Sequence, residues 1–344
     1  MSPGRVVVDI AGTELTGDER ALLCHPEVGG MILFSRNFES RSQLRALTAS
    51  VRALRKPGLL ITVDHEGGRV QRFREGYTQL PAMHALGDAY AKDGASGLEL
   101  ARAEGFLLAA ELLEDGVDLS FTPVLDLDFG RSAVIGNRAF SGDPGIVAAV
   151  AGALIKGLAE AGMASVGKHF PGHGWAEADS HVAIPVDERK RADMESLDLA
   201  PYRALIPKGL AAVMPAHVIY PQVDDRPAGF SHVWLKQILR ERLGFDGLIF
   251  SDDLTMEGAS VVGGVIDRAR AALEAGCDMV LVCNHPDLAR ELVEGHRAGP
   301  VDPVRMDRLR GRGLGRPAAG QPGYVRALAR HRAAFPADSG SAKA

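Results

Sequence analysis

The sequence predicts an α/β protein built as one (β/α)₈ barrel, and three observations carry that reading. Eight short runs along the chain are continuously apolar rather than alternating, as expected of parallel strands buried on both faces. Each is followed by a longer stretch of helical periodicity. Charged residues or histidines stand at the ends of five of the runs, the rim where a barrel of this kind gathers its chemistry. A doubly wound open sheet is the competing architecture. No Gly-x-Gly-x-x-Gly follows the first run, so the dinucleotide-binding form of that sheet loses support.

In order, Val6–Ile10 reads as the first strand, and Thr16-Gly17-Asp18-Glu19 opens a helix before residues 20–25. Residues 30–34 form the second strand, with a helix from about Ser40 to Leu54. Residues 58–63 form the third, running into Asp64-His65-Glu66-Gly67-Gly68-Arg69. After a polar excursion over 66–94, the spacing of Leu98, Ala101, Leu107, Ala110 and Leu113 predicts a long helix, and Leu119–Leu125 the fourth strand. Asp143-Pro144 supplies an acidic cap and a first-turn proline for a helix that ends at Gly162.

Residues 164–167 are the fifth strand, 211–217 the sixth, 247–252 the seventh and 278–283 the eighth. Helices are expected across 197–205, 231–243 with Gly244 as C-cap, 286–297 and 303–311. No repeat and no linker interrupts the pattern, so the barrel is expected to span residues 1–315 as one domain. The tail over 316–344 reads as helical across 324–331 and disordered at its end.

Composition narrows the partners. With 46% hydrophobic and 24% charged residues, the chain of 344 can bury a large core. The net charge of −5, without a basic run, argues against nucleic acid. Cys24, Cys277 and Cys283 sit in apolar contexts without ligand spacing and read as buried thiols of a reducing compartment. No apolar run reaches the length of a membrane span, and none near the start has the form of a signal segment. The expectation is a cytoplasmic protein with no membrane association, and a monomer.

The densest polar stretch is Lys168-His169-Phe170-Pro171-Gly172-His173-Gly174, with Asp179-Ser180-His181 beyond it. It begins where the fifth strand ends, and glycines and a proline shape the loop. A self-bonded polar loop is the plain alternative, but it has no use for three histidines and a lysine within so short a span. Asp64, Asp126 with Asp128, His217 and Asp252 with Asp253 stand at the ends of four other strands, so the barrel converges them on one mouth.

Four chemistries fit parts of this inventory. A metal site could use His169, His173, Asp179 and His181, but the spacing matches no strong metal signature. A Schiff-base lysine would need a lowered pKa at Lys168, which neighbouring carboxylates oppose. Lys168 is better read as a charged donor to substrate hydroxyls. A sugar-binding barrel without catalysis explains the carboxylates and arginines, yet gives no reason for coupling Asp179 to His181. Glycosyl transfer to water needs a carboxylate at the anomeric carbon and a proton donor to the leaving oxygen. Asp252, on a strand end, suits the first role; Asp253 suits a cap for the turn that follows.

These residues resemble the bacterial β-N-acetylhexosaminidases of glycoside hydrolase family 3, cytoplasmic enzymes of peptidoglycan recycling. The resemblance spans roughly 5–300. It rests on Val63-Asp64-His65-Glu66-Gly67-Gly68-Arg69-Val70-Gln71-Arg72, on Ala133-Val134-Ile135-Gly136-Asn137-Arg138, on the Lys168–Gly174 run with Asp179-Ser180-His181, and on Ser251-Asp252-Asp253-Leu254-Thr255-Met256-Glu257-Gly258-Ala259.

The resemblance implies a retaining hydrolase with Asp252 as nucleophile and His181, paired with Asp179, as acid/base. Asp64, Arg72, Arg138, Lys168 and His169 would hold the N-acetylglucosamine ring, with His65 and Arg69 behind them and Glu66 open between the two roles. A histidine acid departs from the two-carboxylate scheme, and its rationale is that an imidazole beside a carboxylate titrates near neutrality. No metal or organic cofactor is implied, and the partner is a small GlcNAc glycoside such as a GlcNAc-anhydro-muramoyl peptide. A phosphorylase or β-glucosidase on the same site is the alternative. One departure is Trp175, where many members carry an acidic residue.

Overall fold

A computed structural model describes residues 3–177, 184–313 and 317–336. Eight parallel strands form the central sheet: β1 (Val6–Val8), β2 (Val28–Leu33), β3 (Leu60–Val63), β4 (Leu119–Ser120), β5 (Val166–Phe170), β6 (Ala212–Pro215), β7 (Leu248–Asp253) and β8 (Met279–Val282). Hydrogen bonding runs β4-β3-β2-β1-β8-β7-β6-β5. The circle closes where Val166 N donates to Thr122 O at 2.8 Å and Leu125 N to Lys168 O at 2.6 Å. The fold is therefore the expected (β/α)₈ barrel.

Strand parity divides the core in two. Val7, Ile32, Leu60, Leu119, Val166, Ala212, Leu248, Phe250 and Leu281 pack together in the barrel interior. Their neighbours Val6, Val8, Met31, Ile61, Val213, Ile249 and Val280 belong to the larger cluster under the helices. Both faces are dry, which is why the strands read as unbroken apolar runs.

The helical layer follows local signals. Thr16 and Glu19 form a reciprocal capping box for α1 (Gly17–Cys24), and Ser40 caps α2 (Arg41–Arg52) through Gln43 N. After α3 (Met83–Lys92), Asp93 caps α4 (Gly94–Glu114). Asp143 accepts from Gly145 N and Ile146 N to start α5 (Pro144–Ala161), which ends at left-handed Gly162 (φ 95°). By length and hydropathy α5 alone among the described residues could cross a bilayer, but here it packs along α4. α6 (Arg191–Ser196) and α7 (Leu199–Leu205) follow β5, and α8 (Val265–Ala275), α9 (Pro286–Gly295) and α10 (Pro303–Asp307) complete the ring. The C-terminal helix α11 (Pro322–Ala334) docks on α4 through His331–Glu104 at 2.9 Å and Tyr324–Glu111 at 2.7 Å.

Three local expectations change. The fourth strand is paired only over Leu119–Ser120, plus a bridge at Val124, because the Pro123 ring has no N–H to continue a ladder. The helix expected across 231–243 is π-helical over Val233–Arg242. Cys24, expected to be buried, is exposed, whereas Cys277 and Cys283 are buried. The end of the tail and the Asp179/His181 pair lie outside the described residues.

Candidate active site

At the C-terminal mouth of the barrel lies a cavity of about 530 Å³. Its floor is apolar, made by Ile32, Phe121, Met214 and Leu281; its wall is polar, made by Asp64, Glu66, Arg72, Arg138, Lys168, His169, His173 and Asp252. Parity explains who faces in. Asp64 continues the inward register of Leu60, and Asp252 that of Leu248 and Phe250.

One wall is a buried charge cluster. Lys168 Nζ lies 2.8 Å from Asp64 Oδ1 and 2.7 Å from Glu66 Oε1, and Arg138 Nη2 lies 2.8 Å from Glu66 Oε1. Arg138 Nε adds a second bond to Glu66 Oε2 at 2.9 Å, the two-pronged geometry that suits guanidinium and carboxylate. Burial alone would raise the Glu66 carboxyl, but Arg138 and Lys168 hold it well below its ordinary value. Burial alone would lower the Lys168 ammonium, but Asp64 and Glu66 hold it above. Glu66, Arg138 and Lys168 are thus ionised across the neutral range. Lys168 has three donors and two carboxylate partners, which leaves one for a ligand.

Arg72 approaches Asp64 at 3.7 Å, and its buried Nε has no hydrogen-bond partner among the described residues. Arg72 reaches the cavity from the hairpin His65–Gly67/Val70–Gln71, whose turn Gly68 closes in the left-handed region (φ 55°).

Beside that cluster a second group centres on Asp126, a buried carboxylate at the end of the β4 segment. Its Oδ1 accepts from His173 N at 2.7 Å and His169 N at 3.2 Å; its Oδ2 lies 2.7 Å from His169 Nδ1. Burial alone would raise the Asp126 carboxyl, but His169 outweighs it and the carboxyl falls below its ordinary value, so Asp126 accepts and His169 donates from Nδ1. His169 Nε2 is then the atom left to the cavity. Burial, then His169, pushes the His173 imidazole below its ordinary value, so it is neutral at pH 7.

The two aspartates of β7 separate cleanly. Asp253 also lines the cavity, but its carboxylate is committed elsewhere: its Oδ1 accepts from Thr255 N at 3.0 Å and Cys283 N at 3.1 Å, its Oδ2 from Thr255 Oγ1 at 2.9 Å. Burial raises its pKa to about 6. Asp252 lines the cavity, oriented by the N–H of Asp253 on its Oδ1 at 2.8 Å. Behind them, fully buried His217 bonds Asp253 O through Nε2 at 3.1 Å.

Of the residues singled out in the sequence, Asp64, Arg72, Arg138, Lys168, His169 and Asp252 meet at this one cavity. Asp179 and His181 lie outside the described residues. Glu66, open between two roles, is the hub of the cluster. His65 turns away and packs near Phe73 and Tyr77, with burial pushing its pKa down to about 3. Arg69 lines the cavity and donates to Ala133 O at 3.1 Å and to Val134 O. Asp126 was visible only as an acid at a strand end; the loop after β5 gives no local sign that it folds back onto that acid. Among the described residues no three His, Cys, Asp or Glu side chains are grouped to hold a metal ion.

This constellation can be set beside known proteins. Residues 6–308 match the N-terminal domain of glycosyl hydrolase family 3. The chain belongs to that family. It is a glycoside hydrolase. Among family 3 relatives, the β-hexosaminidase of Aromatoleum aromaticum is 60% identical over 312 residues, covering 90% of this chain and 88% of the relative. That of Neisseria meningitidis serogroup A is 59% identical over 306 residues, covering 89% and 84%. The structure of NagZ from Neisseria gonorrhoeae in complex with N-trifluoroacetyl-D-glucosamine superposes with a TM-score of 0.93 at 52% identity, covering 98% of this chain and 99% of that one.

Proposed function

We propose that this family 3 hydrolase is a retaining β-N-acetylhexosaminidase that removes terminal β-linked N-acetylglucosamine. The observation that carries the reading is the placement of Asp252 across one cavity from the Asp64–Glu66–Arg138–Lys168 cluster, in a chain 60% identical to a β-hexosaminidase over 88% of that relative's length. A sugar ring is a set of hydroxyls on an apolar frame. The polar wall offers paired carboxylates and forked cations, and the floor of Ile32, Phe121, Met214 and Leu281 receives the apolar face.

Asp64, Arg72, Arg138, Lys168 and His169 hold the ring, and Asp252 attacks the anomeric carbon. The glycosidic C–O bond breaks as His181, oriented by Asp179, gives its proton to the departing oxygen. His181 then takes a proton from water, whose oxygen displaces the Asp252 carboxylate and releases the sugar with its original anomeric configuration. Placing the acid on a histidine suits neutral pH. The free thiols of Cys24, Cys277 and Cys283 fit the reducing cytoplasm, where a GlcNAc-anhydro-muramoyl peptide is the substrate we assign.

The test is release of an aryl leaving group from the β-N-acetylglucosaminide and the β-glucoside, with and without phosphate. The proposal expects fast, phosphate-independent cleavage of the first alone. Phosphate acceleration would make the enzyme a phosphorylase, and preference for the glucoside would overturn the substrate.

A further inference from the structure

Arg189 lies outside the cavity and has no part in the scheme above, yet its environment is as built as the site itself. Its guanidinium is 9% exposed and meets two buried carboxylates, Asp187 at 2.6 Å and Asp198 at 2.9 Å. It also lies 4.7 Å from the ring centroid of Phe129 and 4.9 Å from that of Trp175. Trp175 in turn meets Phe129 edge-on at 5.3 Å and carries Arg131 at 4.5 Å. A buried cation costs several kcal/mol in desolvation unless it is paired, and here a rigid fork spans two acids at once, Asp187 through Nε and Nη2 and Asp198 through Nη2.

The position of this cluster in the chain matters. Gly172–Trp175 leads toward residues 178–183, and Pro185–Arg189 returns from them. The outgoing arm is pinned by Tyr220, whose hydroxyl donates to Gly172 O at 2.8 Å, and by Asp198, which packs so closely on Gly172 that a Cβ there would collide with it. The returning arm is pinned by Asp187 N donating to Ile219 O at 2.9 Å and Ile219 N to Pro185 O at 3.0 Å. Arg189 is the side chain that ties the arms together, touching Trp175 on one and Asp187 on the other.

We propose that Arg189, with Trp175 as its stacking partner, is a positioning residue for the reaction. From outside the cavity it fixes the described residues on either side of 178–183, Trp175 before them and Asp187 after. The inference rests on the reading of His181 as the acid. It also gives a use to Trp175: an aromatic face at this position holds a guanidinium that an acidic side chain would contact only by charge.

A purely structural role would slow all substrates alike, so the experiment reads a ratio. kcat/KM is measured for an activated aryl β-N-acetylglucosaminide and for a poor alkyl leaving group, on wild type, Arg189→Lys, Trp175→Phe and His181→Ala, with Tm recorded for each. Lysine keeps the charge but loses the fork. The expected result for Arg189→Lys is a loss on the alkyl substrate about tenfold greater than on the aryl one, in the same direction as His181→Ala, with a smaller shift for Trp175→Phe. Arg189→Ala, if folded, should regain alkyl activity on addition of guanidinium ion. Equal losses on both substrates in Arg189→Lys, with His181→Ala discriminating, would overturn this proposal alone. Equal losses in His181→Ala would remove the acid assignment and this proposal with it.

Discussion

The two rims of the barrel use the same chemical parts for different ends. At the mouth, Asp64 and Glu66 are paired with Lys168 and Arg138. At the foot, Asp118 and Asp278 precede β4 and β8. Asp118 accepts from Ile61 N at 2.9 Å and pairs with Arg52 at 3.0 Å. Asp278 accepts from Ile249 N at 2.8 Å and pairs with Arg240 at 2.7 Å and Arg305 at 3.1 Å. In each place carboxylates and cations pair at an edge of the sheet, with Glu66, Lys168 and Asp118 buried. The difference lies in what they face. The foot carboxylates spend their oxygens on backbone N–H groups of neighbouring strands and line no part of the cavity, so they lock strand register. The mouth carboxylates are matched to cations that retain donors toward an open volume of about 530 Å³. A buried ion pair therefore says little about function until its unused donors and the space before them are known.

Substitutions can break that contrast. The largest effect is expected for Asp252→Ala, which should lower kcat about 10³-fold or more while leaving Tm within a few degrees, since the side chain faces the cavity. A variant of near-normal activity would end the assignment.

Next is Glu66→Gln, which should cost about 3 kcal/mol or more by leaving Arg138 and Lys168 without their shared carboxylate, and should lower kcat/KM as well. Its pH dependence has a definite sign. The folded carboxyl is held below its ordinary value of 4.5, so its stabilisation is complete above that pH and is lost as pH falls toward the folded value. The Tm gap between wild type and Glu66→Gln should be widest near neutrality and narrow below pH 4.5. A constant gap would mean that charge is not what holds the cluster.

The smallest effect is expected for Asp278→Asn at the foot: about 1–2 kcal/mol from weakened strand-end bonds and two arginine contacts. Activity per folded molecule should stay within about twofold. A large kinetic defect there would erase the distinction between the rims.

Much of this was readable in the chain because the signals are local. Apolar runs without alternation announced strands wet on neither face, and Thr16–Glu19 and Asp143-Pro144 announced helix starts that the structure confirms. Asp252 could be told from Asp253 by position, Asp252 standing at a strand end and Asp253 where the following turn needs a cap, and Asp253 does bond Thr255. What stayed hidden is non-local. Glu66 meets Arg138 across 72 positions, and Lys168 meets Asp64 across 104. No spacing rule says which strand ends become neighbours until the barrel closes. The short pairing of the fourth strand was a local signal misread, for Pro123 within an apolar run already argued against a continuous ladder.

The central proposal is Asp252 as the nucleophile that carries the sugar in a covalent glycosyl-enzyme. The most direct measurement is to trap that species with an activated fluorosugar analogue of N-acetylglucosamine, digest the protein and locate the added mass. The account predicts a single modified peptide containing Ser251-Asp252-Asp253, with the sugar on Asp252 and no label on the Asp252→Ala variant. Label on another carboxylate, or turnover with inversion and no trapped species, would contradict it.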